Sequence, residues 1–124
     1  MVRKRRVFVV EDHPSTAEAV KRYLEVNGYR VEVASDVRSA LRFARTKRFD
    51  VLVCDLHLPD GTGWDLLMSL RRRRPVNAIA FSALDGAEDR RRSKEAGFVE
   101  HVPKGTDGDK LVDVIDRLTK VNAA

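Results

Sequence analysis

Short β-branched and aliphatic runs alternate with stretches of helical period along the chain, and the alternation occurs five times. It predicts strands over 6–10, 30–34, 51–55, 77–82 and 98–102. Val7-Phe8-Val9-Val10 and Val51-Leu52-Val53-Cys54 are apolar on successive positions, the pattern of strands covered on both faces. The helices between them have readable ends. The first starts at Ser15 or Thr16, shows Ala17, Val20 and Leu24 on one face, and stops at Asn27-Gly28. The second takes Asp36 as N-cap and runs through Val37, Ala40, Leu41 and Ala44 to a basic last turn at Arg45 and Lys47. The third carries Leu66, Leu67 and Leu70 and ends before Pro75, because the residue ahead of a proline is pushed out of the helical region. From Asp85 to Ala96 the apolar stripe is poor, so the fourth helix is expected to be the most mobile and exposed. The fifth, from Asp107 or Asp109 to about Val121, sets Leu111, Val114, Ile115, Leu118 and Val121 at helical spacing.

Strands joined by crossover helices make a parallel sheet, and right-handed crossovers favour an α/β, flavodoxin-like (βα)5 doubly wound arrangement in strand order 2-1-3-4-5. The 124 residues, 43% of them apolar, suffice for one core, and residues 1–124 are expected to form a single domain. No window approaches the ~20 apolar residues of a membrane helix. The apolar run after the basic N-terminus is broken at once by Glu11 and Asp12, so a cytoplasmic location is expected. A lone cysteine, Cys54, excludes an intramolecular disulfide and reads as a small core residue.

Lys and Arg number 24 against 19 Asp and Glu, a net charge of +5. Much of the excess lies in three runs, 3–6, 71–74 and 90–92, with no aromatic residue interleaved for stacking on bases. Taken one at a time they read as solvated ends of strands and helices, and nucleic acid is not expected as a partner of this chain alone.

In such a sheet the ligand site lies at the carboxyl ends of the strands, at the switch point between the first and third. Those ends carry Glu11-Asp12, Asp55, Ser82 and, after the last strand, Lys104. Singly, each has a structural explanation as a helix cap, a strand end or a loop cation. Together they put three carboxylates, a hydroxyl and an ammonium on one edge. Gathered carboxylates repel one another unless a cation or a raised pKa relieves them, and an all-oxygen donor set suits Mg2+. A carboxylate beside such a metal, a hydroxyl and a Lys fits a nucleophile for phosphoryl transfer, with Asp55 the candidate.

The segment Asp55-Leu56-His57-Leu58-Pro59-Asp60-Gly61-Thr62-Gly63 resembles the phosphoacceptor loop of response-regulator receiver domains, two-component signalling modules similar to the chemotaxis regulator. The resemblance spans the whole chain, with Glu11-Asp12, Ser82-Ala83 and Lys104 in matching order. It implies that Asp55 accepts a phosphoryl group from a phosphohistidine on a histidine kinase or phosphotransfer protein. Asp12, Asp55 and the backbone carbonyl of His57 would ligate Mg2+, with Glu11 acting through metal-bound water. Ser82 and Lys104 would each bond a phosphoryl oxygen, and small Ala83 would leave room for the group. A switch is also implied, in which Ser82 moves inward, His101 follows, and the face of helix 4, strand 5 and helix 5 changes for a downstream effector protein or domain. The chain would then be a signalling switch rather than a metabolic enzyme. Two positions depart from the family pattern: Pro103 precedes Lys104 instead of following it, implying a different loop, and the switch ring is a histidine.

Rival readings find less support. A flavin carrier needs a hydroxyl- and glycine-rich phosphate loop where this chain has Glu11-Asp12-His13-Pro14, and an aspartyl-phosphate hydrolase needs a second acid at His57. The alternative retained is a phosphorylation-independent protein- or nucleic-acid-binding module on the same fold. Trp64 is expected to pack at the start of the third helix, near enough to the site to report on it.

Overall fold

The computed structural model describes residues 3–106 and 108–119. In chain order the elements are β1 (Arg6–Val10), α1 (Pro14–Val26), β2 (Arg30–Ala34), α2 (Val37–Thr46), β3 (Val51–Cys54), β4 (His57–Leu58), β5 (Gly61–Thr62), α3 (Gly63–Arg71), β6 (Ala78–Ser82), α4 (Ala87–Ala96), β7 (Glu100–Pro103) and α5 (Gly108–Thr119). Five strands pair in parallel in the order β2-β1-β3-β6-β7, and β4 and β5 form a separate antiparallel ribbon. Without the ribbon this is the expected 2-1-3-4-5 sheet.

The continuous apolar runs have a simple cause: alternate residues of each strand serve two different helix layers. Phe8, Val10, Leu52, Cys54, Ala78 and Ala80 face the helix layer that contributes Ala40, Leu66, Leu67, Leu70 and Ala96 from α2, α3 and α4. Val7, Val9, Val51, Val53 and Ile79 face the layer of α1 and α5, where Leu24, Leu111, Val114 and Ile115 are buried. Phe8 stacks on Phe43 with centroids 4.2 Å apart. Cys54 sits in the first layer with no exposed surface.

Element ends differ from expectation for local reasons. α1 begins at Pro14, whose fixed φ suits the first helical position, and His13 rather than Glu11 or Asp12 stands at its N-cap. Asp36 caps α2 as expected, its side chain accepting from Ser39 N at 2.7 Å. α4 begins at Ala87 rather than Asp85 because Gly86 is its N-cap, the Gly86 amide donating to Asp89 Oδ2 at 3.1 Å. The last strand starts at Glu100 rather than Phe98, since Gly97 turns left-handed (φ 112°) and the Phe98 amide still closes α4 by donating to Ser93 O. β3 ends at Cys54, although the Asp55 amide continues the ladder to Val10 O at 2.9 Å. Only Ser93 and Ala96 of α4 are buried, in accord with its weak stripe. Asp107 and Val121, proposed bounds of the last helix, lie outside the described residues. Among the described residues no helix is long and apolar enough to cross a membrane.

Candidate functional site

The parallel sheet sends the residues that follow its strands to one edge, where Asp12, Asp55, His57, Ser82, Ala83 and Lys104 line a shallow cleft of about 280 Å3. Asp55 is 5% exposed. Its Oδ1 accepts from the Leu56 amide at 2.7 Å, while Lys104 Nζ donates to Oδ2 at 3.0 Å. The same Nζ lies 2.5 Å from Oε1 of Glu11, which is 2% exposed. Burial alone would lower the Lys104 pKa, but hydrogen bonds to Glu11 and Asp55 outweigh it and hold the ammonium above its ordinary range. Pairing of the final strand explains its reach: Ser82 is in register with Pro103, and the Lys104 amide donates to Ser82 O at 3.0 Å. The Pro103-Lys104 order therefore leaves the ammonium inside the site. Gly105, at φ 93°, turns the chain just beyond it.

Ser82 Oγ accepts from the Leu84 amide at 3.1 Å, so the hydroxyl oxygen is engaged with its own loop. His101 does not line the cleft. It is 8% exposed, with Nε2 2.7 Å from Leu84 O and Nδ1 3.3 Å from Ser93 Oγ. Trp64 is also outside the cleft, donating from Nε1 to Ser93 Oγ at 3.0 Å beneath the Arg92 guanidinium. Burial of Cys54, with the Asp55 and Glu11 charges adding to it, pushes its thiol far above the ordinary value and keeps it unreactive.

Three residues that sequence reasoning passed over belong to this edge. His13 Nδ1 lies 3.1 Å from Glu11 Oε2 and 3.4 Å from Asp12 Oδ1; its place directly after the acidic pair was the available signal. Asp60, in the turn of the β4–β5 ribbon, accepts from the Val37 and Arg38 amides at 2.7 and 3.0 Å, clamping α2 to the acidic loop. No local pattern links residues 23 apart. Gly63 packs so closely on the Asp55 carbonyl that a Cβ there would sit 2.3 Å from the oxygen.

The donor set accommodates a hard cation. One atom each from Glu11, Asp12, His13 and Asp55 lie within 4.8 Å of one another. Asp12 Oδ1 is buried and makes no hydrogen bond among the described residues, with only the His13 ring 3.4 Å away, which leaves it open to a cation.

Comparisons with known proteins bear on the family and the fold. The family described as "Response regulator receiver domain" matches residues 7–116. A probable transcriptional regulatory protein of Mycobacterium tuberculosis, TcrX, is 39% identical over 99 residues, 79% of this chain and 42% of that protein. KdpE of the same organism is 33% identical over 118 residues, 95% of this chain and 52% of its own. The chain thus spans about half the length of these curated relatives. Among solved structures, the non-phosphorylated HemR receiver domain from Leptospira biflexa superposes with a TM-score of 0.84 at 34% identity, covering 93% of this chain and 94% of that one. The Francisella response regulator 1452 receiver domain gives 0.89 at 30% identity, covering 94% and 98%.

Proposed function

The chain belongs to the response regulator receiver domain family, the signalling switches of two-component systems, and on that premise we propose that Asp55 is its phosphoacceptor and that residues 1–124 work as one receiver domain. The observation that carries this reading is the pairing of Asp55 Oδ2 with Lys104 Nζ at 3.0 Å in a cleft walled by small Ala83. An Asp55 oxygen attacks the phosphorus of a phosphohistidine in line. The new P–O bond forms as the P–N bond breaks, and the donor imidazole leaves with the nitrogen's electron pair and takes up a proton.

Lys104 is positioned to follow the charge that moves onto the phosphoryl oxygens, exchanging its bond with Asp55 for one with the incoming group. Ser82 binds another oxygen once its hydroxyl turns from Leu84, which frees the loop bonded to His101 through Leu84 O. That loop therefore couples the site to α4, β7 and α5, the face offered to a downstream effector protein or domain. Asp12, Asp55 and the His57 carbonyl would hold Mg2+, with Glu11 behind them. The metal supplies neutralisation of phosphoryl charge. His57 contributes only its backbone, since its side chain is exposed. The donor would be a histidine kinase or a phosphotransfer protein, in the cytoplasm. The names of the relatives support an output in transcription.

Intact-mass measurement after incubation with a phosphohistidine donor tests the reading. One phosphoryl adduct that requires Mg2+ supports it; its absence with a donor active on another receiver overturns it.

A further inference from the structure

The edge of the sheet opposite the cleft gathers 11 of the chain's 24 Lys and Arg residues. Strand starts and helix ends meet there, bringing run 3–6, Arg30 at the start of β2, Lys47 and Arg48 before β3, and run 71–74 before β6 to the starts of four adjacent strands. At about 4.8 Å per strand the row is roughly 14 Å wide. Reading each run as an isolated solvated end misses this, because only the β2-β1-β3-β6 order makes them neighbours.

Local roles account for part of the row. Arg71 donates to Ala96 O at 3.0 Å and Arg74 to Lys47 O at 3.3 Å, closing the ends of α4 and α2, and Arg3 lies 3.6 Å from Asp50. Arg30, Lys47, Arg48, Arg72 and Arg73 have no acidic partner among the described residues. Arg6 Nε is buried without a hydrogen-bond partner among the described residues. Clefts of about 460 and 450 Å3 meet at Arg6 and Arg48, and a third of about 490 Å3 adjoins at Arg74.

We propose that this amino-terminal edge is a docking surface for the phosphate backbone of duplex nucleic acid. Uncompensated guanidinium groups suit phosphate, and a duplex offers one charge per about 1.7 Å of axis, several across a row of this width. A single strand would want exposed rings to stack on. Here Tyr29 is buried, and Phe43 and Phe49 are half-buried, Phe49 beneath the Arg74 guanidinium. Protein interfaces rely on aromatic anchors of the same kind. The surface lies at the far end of the strands from Asp55, so it operates whether or not the receiver chemistry does.

The test is fluorescence anisotropy with a labelled 20-base-pair duplex of arbitrary sequence, between 50 and 200 mM salt. Arg72→Glu with Arg73→Glu is compared with Arg38→Glu plus Lys110→Glu, which changes net charge equally in the first turns of α2 and α5, at the opposite end. Circular dichroism confirms that both fold. The expected result is salt-dependent binding that weakens at least about tenfold in the first variant, with the log–log salt slope falling by about 2, and less than about threefold in the second. Equal losses in both would reduce the effect to net charge and overturn the proposal. So would no binding at 50 mM salt, or binding to anionic vesicles without binding to the duplex.

Discussion

The Asp55 carbonyl oxygen occupies the space a Gly63 side chain would need, 2.3 Å from where its Cβ would stand. The close approach packs the residue just after β3 against the first residue of α3. In an open helix Gly→Ala stabilises by up to about 1 kcal/mol. Here Gly63→Ala is predicted to destabilise by about 1–3 kcal/mol through overpacking and to slow phosphorylation of Asp55. Urea unfolding gives the sign directly, and a stabilised variant would refute the packing argument.

Lys104 and a divalent cation draw on the same carboxylates. Replacing Lys104 with Met removes the cation that contacts Glu11 and Asp55, so Mg2+ should bind severalfold more tightly while the yield of phosphorylated protein drops. Calorimetric titration of Mg2+ together with phosphorylation yield checks both halves. Weaker Mg2+ binding would mean that the ammonium positions the carboxylates instead of competing for them.

Asp60 satisfies two amides at the start of α2, besides the cap supplied by Asp36. Asp60→Ala is predicted to cost about 1–2 kcal/mol, and hydrogen exchange should accelerate at Val37 and Arg38 more than elsewhere. Unchanged exchange there would contradict the clamp.

Tyr29, just before β2, ties that end of the strand to α5 by donating its hydroxyl to Asp116. Burial, reinforced by that bond, raises its pKa from 10.0 to about 12. The neutral phenol is thus favoured by folding, and its stability contribution is complete below pH 10 and lost as pH rises through 12. Denaturation from pH 9 to 12 should show this loss, and Tyr29→Phe should flatten it. An equally steep fall in the variant would assign the loss to other groups.

The hydroxyl of Ser93 joins the Trp64 indole to the His101 ring. Ser93→Ala leaves a buried donor without its acceptor and should destabilise by about 1–3 kcal/mol. It should also alter Trp64 emission, which therefore reports on α4 more directly than on the cleft. A silent substitution in both readouts would remove the connection.

The fold was legible because each strand serves two helix layers, so Val7 to Val10 and Val51 to Cys54 announce buried parallel strands without reference to anything distant. The convergence of Asp12, Asp55, Ser82 and Lys104 was likewise legible, since strand order alone brings the strand ends together. Contacts set by geometry across loops were not. Asp60 caps a helix that precedes it, Gly63 matters for what it leaves room for, and His101 bonds a loop carbonyl that no pattern identifies. The cationic edge was missed for the same reason, since its runs are distant in sequence and meet only in the folded sheet.

Asp55, and no other carboxylate of the acidic edge, is the proposed acceptor of the phosphoryl group. Borohydride reduction after phosphorylation converts an aspartyl phosphate to homoserine, and peptide mass spectrometry places it. The expected result is homoserine at position 55, dependent on Mg2+ and abolished in Asp55→Asn. Homoserine at position 12, or an unchanged yield in Asp55→Asn, would contradict it.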